Sequence, residues 1–102
     1  MGSRMSTATA LEIGAFNRSG LAQITDTNWD SNGTLRVTVR EMIGGFDCWI
    51  GGKKRAIRVM RDLARRALPE YHEGQTKGAR LVRTFYADGG HHATFAVTRV
   101  AR

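Results

Sequence analysis

The chain has 102 residues, of which 41% are apolar and 25% charged, with one proline and one cysteine. That is enough for one small domain, expected over 5–102, and excludes a disulfide-stapled scaffold, a collagen-like repeat and a low-complexity chain. Sixteen Lys and Arg against nine Asp and Glu leave a formal charge of +7, which bears on partners and association rates rather than on fold.

Residues 1–4 read as a cloning remnant ahead of a second initiator-like methionine, Met5. No uncharged apolar stretch approaches the ~20 residues that span a bilayer, so the expectation is a cytoplasmic protein without a membrane segment.

Leu35, Val37 and Val39 alternate with Arg36, Thr38 and Arg40, the period of two of a half-buried strand, predicted over 34–43. Ahead of it, Asp30-Ser31-Asn32-Gly33 is a hairpin signal. A three-residue loop sets Trp29 opposite Leu35, Thr27 opposite Val37 and Thr25 opposite Val39. A two-residue loop would instead put Asn28 and Asp26 against the valines, on the core side. Arg18-Ser19-Gly20 repeats the device and aligns Leu11, Ile13 and Ala15 with Leu21. A Gly44-Gly45 turn would pair Glu41 with Cys48 and Val39 with Ile50, adding a fourth strand with Phe46, Cys48 and Ile50 facing inward. The first half thus predicts an antiparallel β-meander over 9–16, 21–29, 34–43 and 46–50.

Over 53–68 the period becomes helical, with Ala56, Ile57, Val59, Met60, Leu63 and Ala67 forming an apolar stripe that Pro69 ends. A C-terminal hairpin over 80–87 and 92–100 turns at Asp88-Gly89-Gly90-His91, setting Val82, Thr84 and Tyr86 beside Val97, Phe95 and Ala93. The fold expected is α+β, in the order ββββ-α-ββ.

Catalysis has no visible constellation. The carboxylates are scattered, His91 and His92 are neighbours that an extended backbone turns to opposite faces, and His72 stands alone. Neither a metal nor a cofactor is expected, and Cys48 reads as a small buried hydrophobe. The informative segment is Ile50-Gly51-Gly52-Lys53-Lys54-Arg55, where glycines lead into a helix whose free N–H groups attract anions. Three cations there oppose the helix dipole, an unfavourable local choice that hints at function. The spacing is not that of a phosphate-binding P-loop. Lys54, Arg58, Arg61 and Arg65 share one stripe, and Lys53, Arg55 and Arg66 bring the helix to seven of the sixteen cations. Such a stripe suits a nucleic-acid backbone.

Lys53-Lys54-Arg55-Ala56, opening a helix after an antiparallel run of three strands, resembles the Lys-Lys-x-Ala start of the last helix in double-stranded RNA-binding domains. The resemblance implies phosphate contacts from Lys53 and Lys54 across the major groove.

Outward positions add Arg83, Phe85, Arg40, Met42 and Trp49, where aromatics beside arginines can stack bases or anchor a protein partner. The function expected is nucleic-acid binding through Lys53, Lys54, Arg55, Arg58, Arg61, Arg65 and Arg83. The alternative is a protein-interaction or inhibitor module using Arg40, Met42, Trp49 and Phe85. A sheet face left poorly covered by one helix also predicts a homodimer.

Overall fold

The computed structural model describes residues 20–101, so the strand expected over 9–16 and the remnant at 1–4 lie outside the described residues. Strand β1 (Ala22–Trp29) and β2 (Leu35–Glu41) form a hairpin. A short 3₁₀ turn (Phe46–Cys48) leads to helix α1 (Gly52–Tyr71), and β3 (Thr76–Ala87) and β4 (Gly90–Arg99) form a second hairpin. The four strands make one antiparallel sheet in the order β1-β2-β4-β3. This is the α+β class read from the sequence, with one helix and a C-terminal hairpin. Among the described residues, two strands precede the helix, and the third strand that the likeness to double-stranded RNA-binding domains would place over 46–50 is replaced by a 3₁₀ turn. No helix among the described residues is long and apolar enough to cross a membrane.

The β1–β2 turn follows the three-residue reading. Trp29 faces Leu35 and Thr27 faces Val37, while Asp30 accepts hydrogen bonds from the backbone of Asn32 (2.9 Å) and Thr34 (3.0 Å) and pairs with Arg36 (3.2 Å). Beyond it a bulge between Ile24 and Asp26 absorbs Thr25, so that Ile24 instead of Thr25 faces Val39. The bulge switches side-chain parity and puts Ile24 and Ala22 into the core.

Helix α1 lies across one sheet face, packing Ile57, Met60, Leu63, Ala64, Ala67 and Leu68 against Leu35, Val37, Val39, Ala93, Phe95 and Val97. Val59, expected in the stripe, sits half-buried at its margin. The helix also continues past its expected stop, because Pro69 sits inside the last turn. Proline has no N–H for the carbonyl four residues back, which is that of Arg65. The Thr76 hydroxyl donates to that oxygen at 2.6 Å, filling the missing bond from the first residue of β3.

The second hairpin differs from the expected register. Its loop is Asp88-Gly89, Thr84 faces Ala93, and a bulge between Leu81 and Arg83 takes up Val82. Leu81 therefore packs at the core opposite Phe95, and Val82 is exposed. Among the described residues β1 and β3 are the outer strands, and both carry bulges that kink and twist the strand locally.

The fourth strand expected over 46–50 is absent: Cys48 and Trp49 donate backbone bonds to Gly45 and Phe46, closing tight turns in place of a ladder. Phe46 still packs against the core, but Cys48 and Ile50 are exposed, Ile50 at 87%.

Thr76→Val leaves the Arg65 carbonyl without its partner and is expected to cost about 1 kcal/mol in urea unfolding. Pro69→Ala in the same background supplies the missing N–H and is expected to restore most of that loss, which a double-mutant cycle checks.

Candidate nucleic-acid interface

The helix start is held by a buried carboxylate. Glu41, 4% exposed at the end of β2, accepts hydrogen bonds from the N–H groups of Ile43 (2.6 Å) and Gly44 (2.8 Å) and from the Trp49 indole (3.1 Å). Burial alone raises a carboxyl pKa, but the bonds from Trp49 and from the backbone of residues 43–45 outweigh it and hold Glu41 below the usual carboxylate range. Trp49 is consequently 6% exposed and not the outward anchor expected of it. Its ring lies beneath the Arg55 guanidinium, 5.9 Å away, and Arg55 donates to the Ile50 carbonyl at 3.3 Å. Gly51, the N-cap, has φ +92°, and a side chain there would press on Arg55.

The first helical turn has no acidic residue and no side-chain cap. Lys53, Lys54, Arg58 and Arg65 are exposed along the helix, and no carboxylate pairs with them among the described residues. Arg66 differs, forming an ion pair with Glu70 at 3.0 Å. Arg61, expected to face away with the stripe, is half-buried with its guanidinium 5.8 Å from the Phe95 ring. At 3.6 residues per turn it falls at the edge of the stripe, where an arginine stem covers core.

Beside the helix start, the tip of the β3–β4 hairpin carries a group that sequence reasoning missed. The Lys53 ammonium lies 5.6 Å over Phe46, Phe46 lies 4.7 Å from His91, and His91 meets Tyr86 edge-on at 5.0 Å. Tyr86 is 66% exposed. On the opposite side of the same hairpin, His92 stacks on Phe85 at 4.9 Å and 9°, with the Arg83 guanidinium 4.5 Å from the Phe85 ring. Arg40 reaches this side from β2 and donates to the Asp88 carbonyl at 3.1 Å, passing so close over Gly90 that a side chain there would strike it. The neighbouring histidines do point to opposite faces. The sequence signal for the missed group was the pairing of Tyr86 with His91, hidden by the register error.

The expected residues therefore divide between two surfaces. Lys53, Lys54, Arg55, Arg58, Arg61 and Arg65 lie on the helix side, whereas Arg40, Arg83 and Phe85 lie on the sheet face that the helix does not cover. Met42, exposed, belongs to the loop between them. The face opposite α1 bears arginines and threonines, including a Thr38–Thr94 hydroxyl pair at 3.0 Å, and not the apolar surface on which a homodimer was expected. No three metal-ligating side chains cluster among the described residues. Comparison with known protein families, with curated proteins and with solved structures finds no match to this chain.

Glu41→Gln tests the carboxylate. Because its folded-state pKa lies below the unfolded value, ionised Glu41 stabilises the fold above the unfolded value and loses that contribution as pH falls through the folded one. The variant is expected to be less stable by about 2 kcal/mol at pH 7. It is also expected to show a flatter loss of stability on acidification than the parent, both read from urea melts across pH.

Proposed function

We propose that this protein binds nucleic acid, with α1 laid along a phosphate backbone. The observation that carries the reading is the stripe of exposed Lys54, Arg58 and Arg65 on α1, with exposed Lys53 beside its start, all without carboxylate partners among the described residues. A solvated surface helix ordinarily intersperses both signs, whereas along this run exposed Asp62 alone opposes the cations, and it forms no ion pair with them. Here the cations begin at the end of the helix where the dipole opposes them, so an anionic ligand relieves a local electrostatic cost. The run continues into the Lys53–Phe46–His91–Tyr86 group, which offers an exposed ring beside the cations. Phosphate contacts of this kind give affinity without sequence preference. A protein-partner reading survives on different residues, because Trp49 is buried while Ile50, Ile43 and Met42 are exposed beside the helix start.

Reversing Lys54 and Arg58 to glutamate is expected to leave the fold intact, since negative charge near a helix N-terminus is favoured. Binding should weaken by a similar factor for every duplex sequence, and the slope of log affinity against log salt should fall by about 1.8 on B-DNA, or about 0.9 per contact. Mobility shifts over a salt series starting at ~50 mM read both effects. Unchanged affinity and slope, or no binding by the parent at the lowest salt, would move Ile50 and its neighbours, and hence a protein partner, into first place.

A further inference from the structure

We propose that the sheet face opposite α1 is a second, separate site that takes single-stranded nucleic acid, with unpaired bases stacking on Arg83 and Phe85, which buried His92 backs, and phosphates meeting Arg40 and Arg80. The inference does not rest on the helix reading, because α1 packs on the other face and none of its residues contributes here.

Strand register builds this face. His92 lies between Arg40 and Phe85, Thr94 between Thr38 and Arg83, and Ala96 between Arg36 and Arg80. The bulge at Val82 keeps Arg80, Arg83 and Phe85 on one side despite their uneven spacing. Acidic groups on this face lie toward β1, where Asp26 accepts from Asn28 at 2.7 Å and Asp30 is occupied by Arg36. Arg40, Arg80 and Arg83 meet no carboxylate among the described residues, so this half of the face is complementary to an anion.

Shape selects the anion. Over Ala96 and Gly78 the surface drops into a hollow of about 420 Å³ walled by Arg80 and by Arg36 with its ion-pair partner Asp30, so that Arg80 is the wall's unpaired cation among the described residues. The small floor residues give a flat group access without moving the backbone. Beside the hollow, buried His92 stacks on Phe85 and the exposed Arg83 guanidinium lies over the Phe85 ring, so a ligand meets Arg83 and the open part of Phe85. Planar cation–aromatic groups add affinity for flat π-faced ligands, which an acidic peptide does not present. A rigid duplex keeps its bases stacked inside, whereas a single strand can splay them onto a flat sheet. The ligand class is thus an unpaired oligonucleotide, DNA or RNA.

Fluorescence anisotropy of the full chain tests the site with labelled ~12-nucleotide oligo-dT, oligo-U, an abasic oligonucleotide of equal length and a duplex, at ~50 mM salt. Arg80→Glu with Arg83→Glu is expected to weaken the oligo-dT or oligo-U complex about tenfold or more while changing duplex affinity much less. Phe85→Leu, which keeps an apolar side chain but removes the stack, is expected to cost about fivefold on the base-bearing strand and nothing on the abasic one. Circular dichroism verifies the fold, and Arg80→Gln with Arg83→Gln replaces the reversal if that variant does not fold. A stronger effect on oligo-dT or on oligo-U identifies which strand is preferred and upholds the site. The proposal is overturned if the parent binds no single strand, if the abasic strand or poly-glutamate binds as tightly as oligo-dT and oligo-U, or if single-strand affinity responds only to reversal of Lys54 and Arg58. That last result would leave the helix reading standing alone.

Discussion

The buried carboxylate of Glu41 is the constraint on which the rest of the arrangement depends. An ionised group with so little exposure is tolerable only with several donors, and it draws them from the backbone of the following loop and from the Trp49 indole. Satisfying Glu41 folds residues 42–49 back on the end of β2 and buries Trp49, and Trp49 in turn fixes where α1 begins. From that origin Arg55 lies over the indole and Lys53 over Phe46, so one hydrogen-bonded carboxylate places the first cations of the helix beside the hairpin tip.

The distribution of charge around this frame is uneven. Cations gather on the exposed side of α1, opposed there by Asp62, and on the half of the sheet face made by β4 and β3, while Asp26 lies on β1 and Asp30 in the turn that follows it. The β3–β4 hairpin links the two surfaces, because alternation along β4 sends His91 toward the helix side and His92 toward the open side. Each histidine meets an aromatic ring and a cation nearby, so the hairpin tip presents similar chemistry in both directions from a thin sheet.

Irregularities do much of the positioning. The bulge at Thr25 brings Ile24 and Ala22 into the core, and the one at Val82 trades Val82 for Leu81 opposite Phe95. Among the described residues both lie on the outer strands of the sheet, where a bulge disrupts the ladder on one side only. Pro69 is a comparable case, since the helix continues through it because a side chain of the next strand satisfies the orphaned carbonyl.

Patterns carried entirely by near neighbours were legible in the sequence by itself: the alternation of Leu35 to Arg40, the three-residue turn after Asp30, the amphipathic helix with its cationic stripe, the second hairpin, and the divergence of His91 from His92. Each follows from backbone periodicity or turn chemistry, which operate over a few residues. Tertiary structure alone decided other features. Residues 46–50 read as a strand because Phe46, Cys48 and Ile50 alternate, yet the need of a carboxylate at position 41 for the indole at position 49 outweighed that alternation and turned Cys48 and Ile50 outward. The C-terminal register, by contrast, was local, since Asp88 and Gly89 both take positive φ in the two-residue turn that an Asp-Gly pair favours, while the helix end involves a hydroxyl seven residues beyond the proline. In the tertiary cases the deciding partner competes with the local pattern: at Trp49 burial makes the indole's hydrogen bond worth more than the alternation it displaces, and at Pro69 a hydroxyl outside the helix supplies the bond that the helix's own backbone cannot.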